Sequence, residues 1–141
     1  MRPAKYWMAS ISGEHAQLAV AGGFIQVCHG KQAPLKRMQE GDGLIIYSSR
    51  EKMGTGAALQ MFTAVGMVAS GAEYQVQMSS SFLHYRRNVD FLPATPAAIR
   101  PMLDELEFIT DKQHWGYLFR FGFFEIGKKD FDLICSKMIS R

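Results

Sequence analysis

Residues 22–49, GGFIQVCHGKQAPLKRMQEGDGLIIYSS, constrain the chain most, because they place turn, strand, loop, short helix, turn and strand in one continuous stretch. The second half is scaffold in character. Gly41-Asp42-Gly43 is a turn that accepts positive φ, and Leu44-Ile45-Ile46-Tyr47 is an unbroken apolar run that suits a buried strand. The first half carries more chemistry. Residues 24–29 read as a strand, with Gln26 and Cys28 on one face and Ile25, Val27 and His29 on the other, because side chains alternate. Gly30-Lys31-Gln32 then forms a polar loop, and Pro34 opens a short helix from its first turn.

The flanking segments follow from the same rules. Residues 5–11 read as a first strand that points Trp7 and Ala9 one way and Tyr6 and Met8 the other. Ser12 caps a helix over residues 13–21, which Gly22-Gly23 stops. Residues 50–58 hold two glycines and no periodicity, so a flexible loop is expected there, a place where functional groups often sit. Residues 59–70 are β-prone, with Gly66 marking a bulge or a close backbone approach, and residues 74–78 and 82–92 read as further strands. Thr95 is expected to cap a helix running from Pro96 to about Leu106, made irregular by Pro101. Residues 114–126 are aromatic-rich and their centre reads as a last strand; Phe131, Ile134, Cys135 and Met138 then lie at helical spacing. Strands interleaved with short helices, without a regular βα repeat, predict an α+β fold on a strongly curved sheet or small barrel, as one domain over residues 1–141.

A chain of 141 residues buries a core without disulfides or a structural metal. Cys28 and Cys135 lie far apart in apolar surroundings and are expected as free thiols; no metal-ligand pattern and no cofactor motif is present. No stretch approaches the roughly 20 apolar residues of a membrane span, so a cytoplasmic protein is expected. A net charge of +3 with pI near 9.0 permits a polyanionic partner without demanding one. The aromatic content of 12% is more telling, because several rings sit beside Lys, Arg and His.

Tyr6-Trp7, GGFIQVCHGKQAPL, the GDGLIIYSS turn and strand, and HWGYLFRFGFFEI, taken in that order, resemble the EVE domain, a family of the PUA-like superfamily related to ASCH and YTH domains. The resemblance covers about residues 4–139, and GGF-x-Q-V-C-H-G-K is its most specific motif. It implies a twisted, barrel-like mixed sheet decorated by short helices, with a pocket that receives a modified nucleobase. Ser49 stands where relatives carry proline, which puts the path of residues 50–58 in question.

Three constellations suit such a ligand. Trp7 and Trp115 are candidates for an aromatic cage, since a base out of its stack needs flat apolar faces; the alternative for each is an ordinary core tryptophan. Gln26 and His29 offer donors and acceptors for a base edge, Gly30 permits close approach, and Lys31 can meet a phosphate. In His84-Tyr85-Arg86-Arg87-Asn88 alternation lets only half the cluster face one ligand, and Arg87 is taken as the phosphate contact, against a solvated strand edge. Arg120, set among Leu118, Phe119 and Phe121, is expected to have a partner, either a carboxylate such as Glu125 or a bound anion. The expected partner is thus RNA or DNA, bound by a non-enzymatic reader without a cofactor. Two rivals remain. A hydrolase of modified nucleosides, by analogy with ASCH proteins, needs Lys31 or Lys5 desolvated beside a carboxylate; the other is a protein-interaction module. A Cys28–His29 nucleophile is disfavoured, since strand neighbours point to opposite faces.

Overall fold

The computed structural model describes residues 2–52, 55–79 and 82–139. Among them are strands β1 (Tyr6–Ser10), β2 (Phe24–Ile25), β3 (Gly43–Lys52), β4 (Thr55–Val68), β5 (Tyr74–Ser79), β6 (Phe82–Phe91), β7 (Ala97–Ala98) and β8 (Phe123–Ile126). Helices α1 (Gly13–Gly22), α2 (Ala33–Lys36) and α3 (Lys128–Met138) accompany them. The strands form one mixed sheet in the order β2-β6-β4-β3-β1-β8, with β5 added to β6 and β7 to β4. Only the β1–β3 pair is parallel among these pairings. This is the expected α+β fold: a curled mixed sheet with short helices on its faces. No helix among the described residues is long and apolar enough to cross a membrane.

The apolar run in β3 exists because β3 is covered on both faces. Leu44 and Ile46 enter a core built with Trp7, Ile25, Leu35 and Phe123, which α1 and α2 cover. Ile45 and Tyr47 enter a second core with Phe62, Ile99, Phe119 and Ile134, which α3 closes. All four β3 side chains are at most 2% exposed, and each is worth about 1.5–3 kcal/mol of burial. Gly66 lies in β4 where a Cβ would stand 2.7 Å from the Asp90 carbonyl oxygen, the close approach to β6 that the glycine predicted.

Asp42, in the turn before β3, ties the start of the chain to this scaffold. Its carboxylate accepts hydrogen bonds from Arg2 at 2.8 and 3.1 Å, the Lys5 amide at 3.0 Å, the Trp7 indole N–H at 2.9 Å and the Gln39 amide at 2.9 Å. Burial opposes its charge, but Arg2, Lys5, Trp7 and Gln39 together outweigh that and hold the carboxyl at about 2.

Four local expectations are corrected. The strand over residues 24–29 ends at Ile25, and Cys28–Gly30 form a 3-10 turn. The flexible loop over residues 50–58 is a strand ribbon: β3 runs to Lys52 and β4 starts at Thr55, while Met53 and Gly54 lie outside the described residues. The helix over residues 96–106 gives way to β7 and a 3-10 turn at Arg100–Met102. Pairing of β7 with Met61 and Phe62 competes with the helix, and Pro101 supplies no N–H to continue it. The aromatic stretch coils as a 3-10 turn at Tyr117–Phe121, ended by Gly122 at φ 77°, and becomes β8 only from Phe123. Cys28 and Cys135 are free, half-buried thiols.

Candidate functional site

A cleft of about 800 Å³ opens between the Cys28–Gly30 turn, the β3–β4 ribbon, the start of α1 and the Tyr117–Phe121 turn. Lys31, Arg50, Lys52 and Arg120 line it, with the imidazoles of His15, His29 and His84, and no Asp or Glu is among its described lining residues. At the end of β3 Arg50 and Lys52 reach the cleft, whereas Glu51 lines the neighbouring groove beside α1, which Lys52 also borders. Ser12, which caps α1 by accepting from the His15 amide at 3.2 Å, also places that helix's N-terminus at the cleft. Lys31, Arg50, Lys52 and Arg120 therefore give the wall a positive field that no carboxylate among the described lining residues cancels.

The floor is a strained turn. Cys28, His29 and Gly30 take φ of 51°, 58° and 81° in succession. A left-handed non-glycine residue costs on the order of 1–2 kcal/mol, so two together persist only when their surroundings hold them. Here the Gly30 amide donates to the Val27 carbonyl at 2.9 Å, and the Cys28 thiol donates to the Phe121 carbonyl at 3.6 Å across the cleft. Gly30 is required twice over, by its φ and by the His84 ring, whose Cγ would stand 2.5 Å from a Cβ. The thiol is a poor nucleophile, because burial raises its pKa and Lys31 offsets only part of that.

Gln26 is held on both ends. Arg86 Nε donates to Gln26 Oε1 at 3.0 Å, and Gln26 Nε2 lies 2.7 Å from His84 Nδ1. With the oxygen facing Arg86, the amide nitrogen can only donate, so Nδ1 of His84 is the acceptor and the imidazole proton of the neutral ring sits on Nε2. Arg86 is itself set by the Phe24 ring, 4.0 Å from its guanidinium carbon. A chain of contacts thus runs from β2 through Gln26 to a histidine of fixed tautomer at the cleft.

The structure brings Gln26, His29, Gly30, Lys31 and Arg120 together in this cleft and leaves Trp7, Arg87 and Trp115 outside it. Trp7 is core: it is 1% exposed, Phe123 stacks on it at 5.0 Å, and its N–H is spent on Asp42. No face is left for a base, so the cage expected from Trp7 is corrected. Trp115 lies in a notch with Phe108, His114 and Tyr117, packed edge-on against Tyr47 at 6.5 Å with the Arg100 guanidinium 5.3 Å away. Arg87 points inward, is 7% exposed, and meets Glu73 at 4.0 Å, with its Nε unpaired. Alternation had allowed half of the β6 cluster to serve a ligand, and the half at the cleft is that of His84. Arg120 is exposed, over the Tyr117 ring at 5.6 Å; Glu125, its expected partner, stands 4.0 Å from Lys5. Arg50 and Lys52 were hidden inside the supposed loop, and His15 inside a packing helix. Only the positive charge of Arg50 and Lys52, of no use without the fold, marked those two.

Several solved structures share the fold at low identity. An NMR structure from Rhodopseudomonas palustris matches with a TM-score of 0.60 at 15% identity, covering 95% of this chain and 92% of that one. A crystal structure from Agrobacterium tumefaciens matches at 0.56 and 14% identity, with 94% and 92% covered. Relatives close in sequence include a UPF0310 protein of Mycolicibacterium gilvum, 46% identical over 132 residues that make up 94% of each chain. The UPF0310 protein YdcG of Bacillus subtilis is 45% identical over 133 residues, 94% of this chain and 91% of that one. The model of the EVE domain matches residues 5–137, and the PUA-like α+β chain described here therefore belongs to the EVE domain family.

Proposed function

We propose that the protein is a non-enzymatic nucleic-acid reader that admits one base, modified or unmodified, beside Gln26 and His29. Lys31, Arg50, Lys52 and Arg120 take the flanking phosphates. The observation that carries this reading is the basic wall: two lysines and two arginines, beside three imidazoles, with no carboxylate among the described lining residues. Such a wall suits a polyanion and repels a cationic or acid-pairing ligand. The strained Cys28–Gly30 turn supports it too, since strain of this kind is kept where function needs a shape. A nucleoside hydrolase would need Lys31 or Lys5 desolvated beside a carboxylate; Lys5 stands 4.0 Å from Glu125 but both side chains are exposed, and no carboxylate is among the described residues lining the cleft with Lys31.

The test is a salt titration of oligonucleotide affinity. Each phosphate neutralised contributes about 0.7–0.9 to the slope of log K against log salt. Lys31→Ala and Arg50→Ala are each expected to lower that slope by about this amount and weaken binding similarly for all sequences. Wild-type protein whose affinity does not change with salt, or a slope untouched in both variants, would sink the reading.

A further inference from the structure

We infer that the Tyr117–Phe121 turn is a stacking platform that selects single-stranded nucleic acid over duplex, an inference that rests on the nucleic-acid reading above. Tyr117 is 58% exposed and Phe121 59%. One exposed ring needs no explanation, but two in one turn, 6.0 Å apart and edge-to-face, form a patch, with the Arg120 guanidinium 5.6 Å from the Tyr117 ring. The same turn sends Phe119 inward, where it is 8% exposed and stacks on Tyr47 at 3.9 Å. Of the three rings in this turn only Phe119 enters the core, while Tyr117 borders the Trp115 notch and, like Phe121, keeps more than half of its surface exposed.

The patch is continuous with the cationic cleft, since Arg120 and Phe121 line both. It is also held in place before any ligand arrives. The Phe121 carbonyl accepts from Cys28 at 3.6 Å, and Gly122 closes the turn at φ 77°, with room for a Cβ only 3.1 Å from the Cys28 sulfur. A ring fixed at the rim of an anion-binding cleft is what an unpaired base stacks on, with arginine adding a cation–π contribution. Bases in a duplex already cover each other's faces and have none to offer. The phosphates that follow an unpaired base then fall along Lys31, Arg50 and Lys52.

The experiment measures fluorescence anisotropy with a labelled single strand of about 12 nucleotides, the same sequence as a duplex, and an abasic strand that keeps the phosphates. The wild type is expected to bind the single strand tightest. Phe121→Ala and Tyr117→Ala, both at exposed positions, are expected to weaken that binding by roughly 5- to 150-fold per stacked base, and to leave the abasic strand unchanged. Salt-dependent wild-type binding that neither substitution alters would overturn the platform and leave the reader standing. Equal loss on the abasic strand would overturn it as well, since it would make the effect one of charge or fold. A change in sedimentation with unaltered oligonucleotide binding would assign the patch to a protein interface instead. No wild-type binding to any of the three would bring down both.

Discussion

Asp42→Asn tests the clamp that decides what Trp7 does. The carboxylate accepts from Arg2, Lys5, Trp7 and Gln39, and its pKa is lowered from 3.8 to about 2 although burial works against it. At 1.36 kcal/mol per pKa unit, the bound charge contributes about 2 kcal/mol to stability. The sign follows from the lowered folded value: this contribution is fully present above about pH 4, the unfolded value, and is lost as the pH falls towards 2. Asparagine keeps one acceptor oxygen but turns an amide toward a ring of donors, so the variant should lose about 2–3 kcal/mol at pH 7. Urea unfolding followed by tryptophan fluorescence at pH 7 and near pH 2.5 measures this, with a gap between wild type and variant that shrinks at the lower pH. A gap of equal size at both pH values, or one below about 1 kcal/mol at pH 7, refutes the reasoning, since the charge would then not be what the donors stabilise.

Two further outcomes separate scaffold from site. Trp7→Phe removes a buried indole and its bond to Asp42, so it is expected to destabilise by about 1–3 kcal/mol in chemical denaturation and, once folded, to bind oligonucleotide as the wild type does; a selective loss of binding with unchanged stability would restore Trp7 to the site. Gly30→Ala forces a methyl group into the His84 ring at φ 81°, and is expected to cost about 1–3 kcal/mol and to weaken oligonucleotide binding by displacing His84, whereas unaltered thermal melting and affinity would show that the turn tolerates a side chain.

Much of the scaffold was legible because its signals are local. Ser12 and Gly23 bound α1, Gly41 marks the turn before β3, and the alternation of Leu44, Ile45, Ile46 and Tyr47 between two cores follows from a period of two. Elements that depend on a distant partner were misread. Ala97-Ala98 carries no strand propensity of its own and is a strand because Met61 and Phe62 lie beside it. Cys28 and His29 have ordinary extended-chain composition, and their left-handed backbone is held from outside, by the Tyr117–Phe121 turn through the Phe121 carbonyl and by β6 through His84 against Gly30.

The chain's sequence alone determined that a curved α+β sheet forms around β3, and it singled out Gln26, His29, Gly30 and Lys31, which line one cleft. Residue types and spacings are sufficient for that, because hydrophobic period and turn chemistry act over a few residues. Which aromatic and basic groups join that site was decided only in three dimensions. Trp7 is packed into the core against Phe123 with its N–H on Asp42, and Arg87 lies buried 4.0 Å from Glu73, carboxylates 35 and 14 residues away in the chain. Phe121, Arg50, Lys52 and His84 were brought to the cleft by a 3-10 turn, a ribbon and a neighbouring strand. The direction in which a side chain points depends on what its neighbours bury, and those neighbours are set by sheet pairing between segments far apart in sequence.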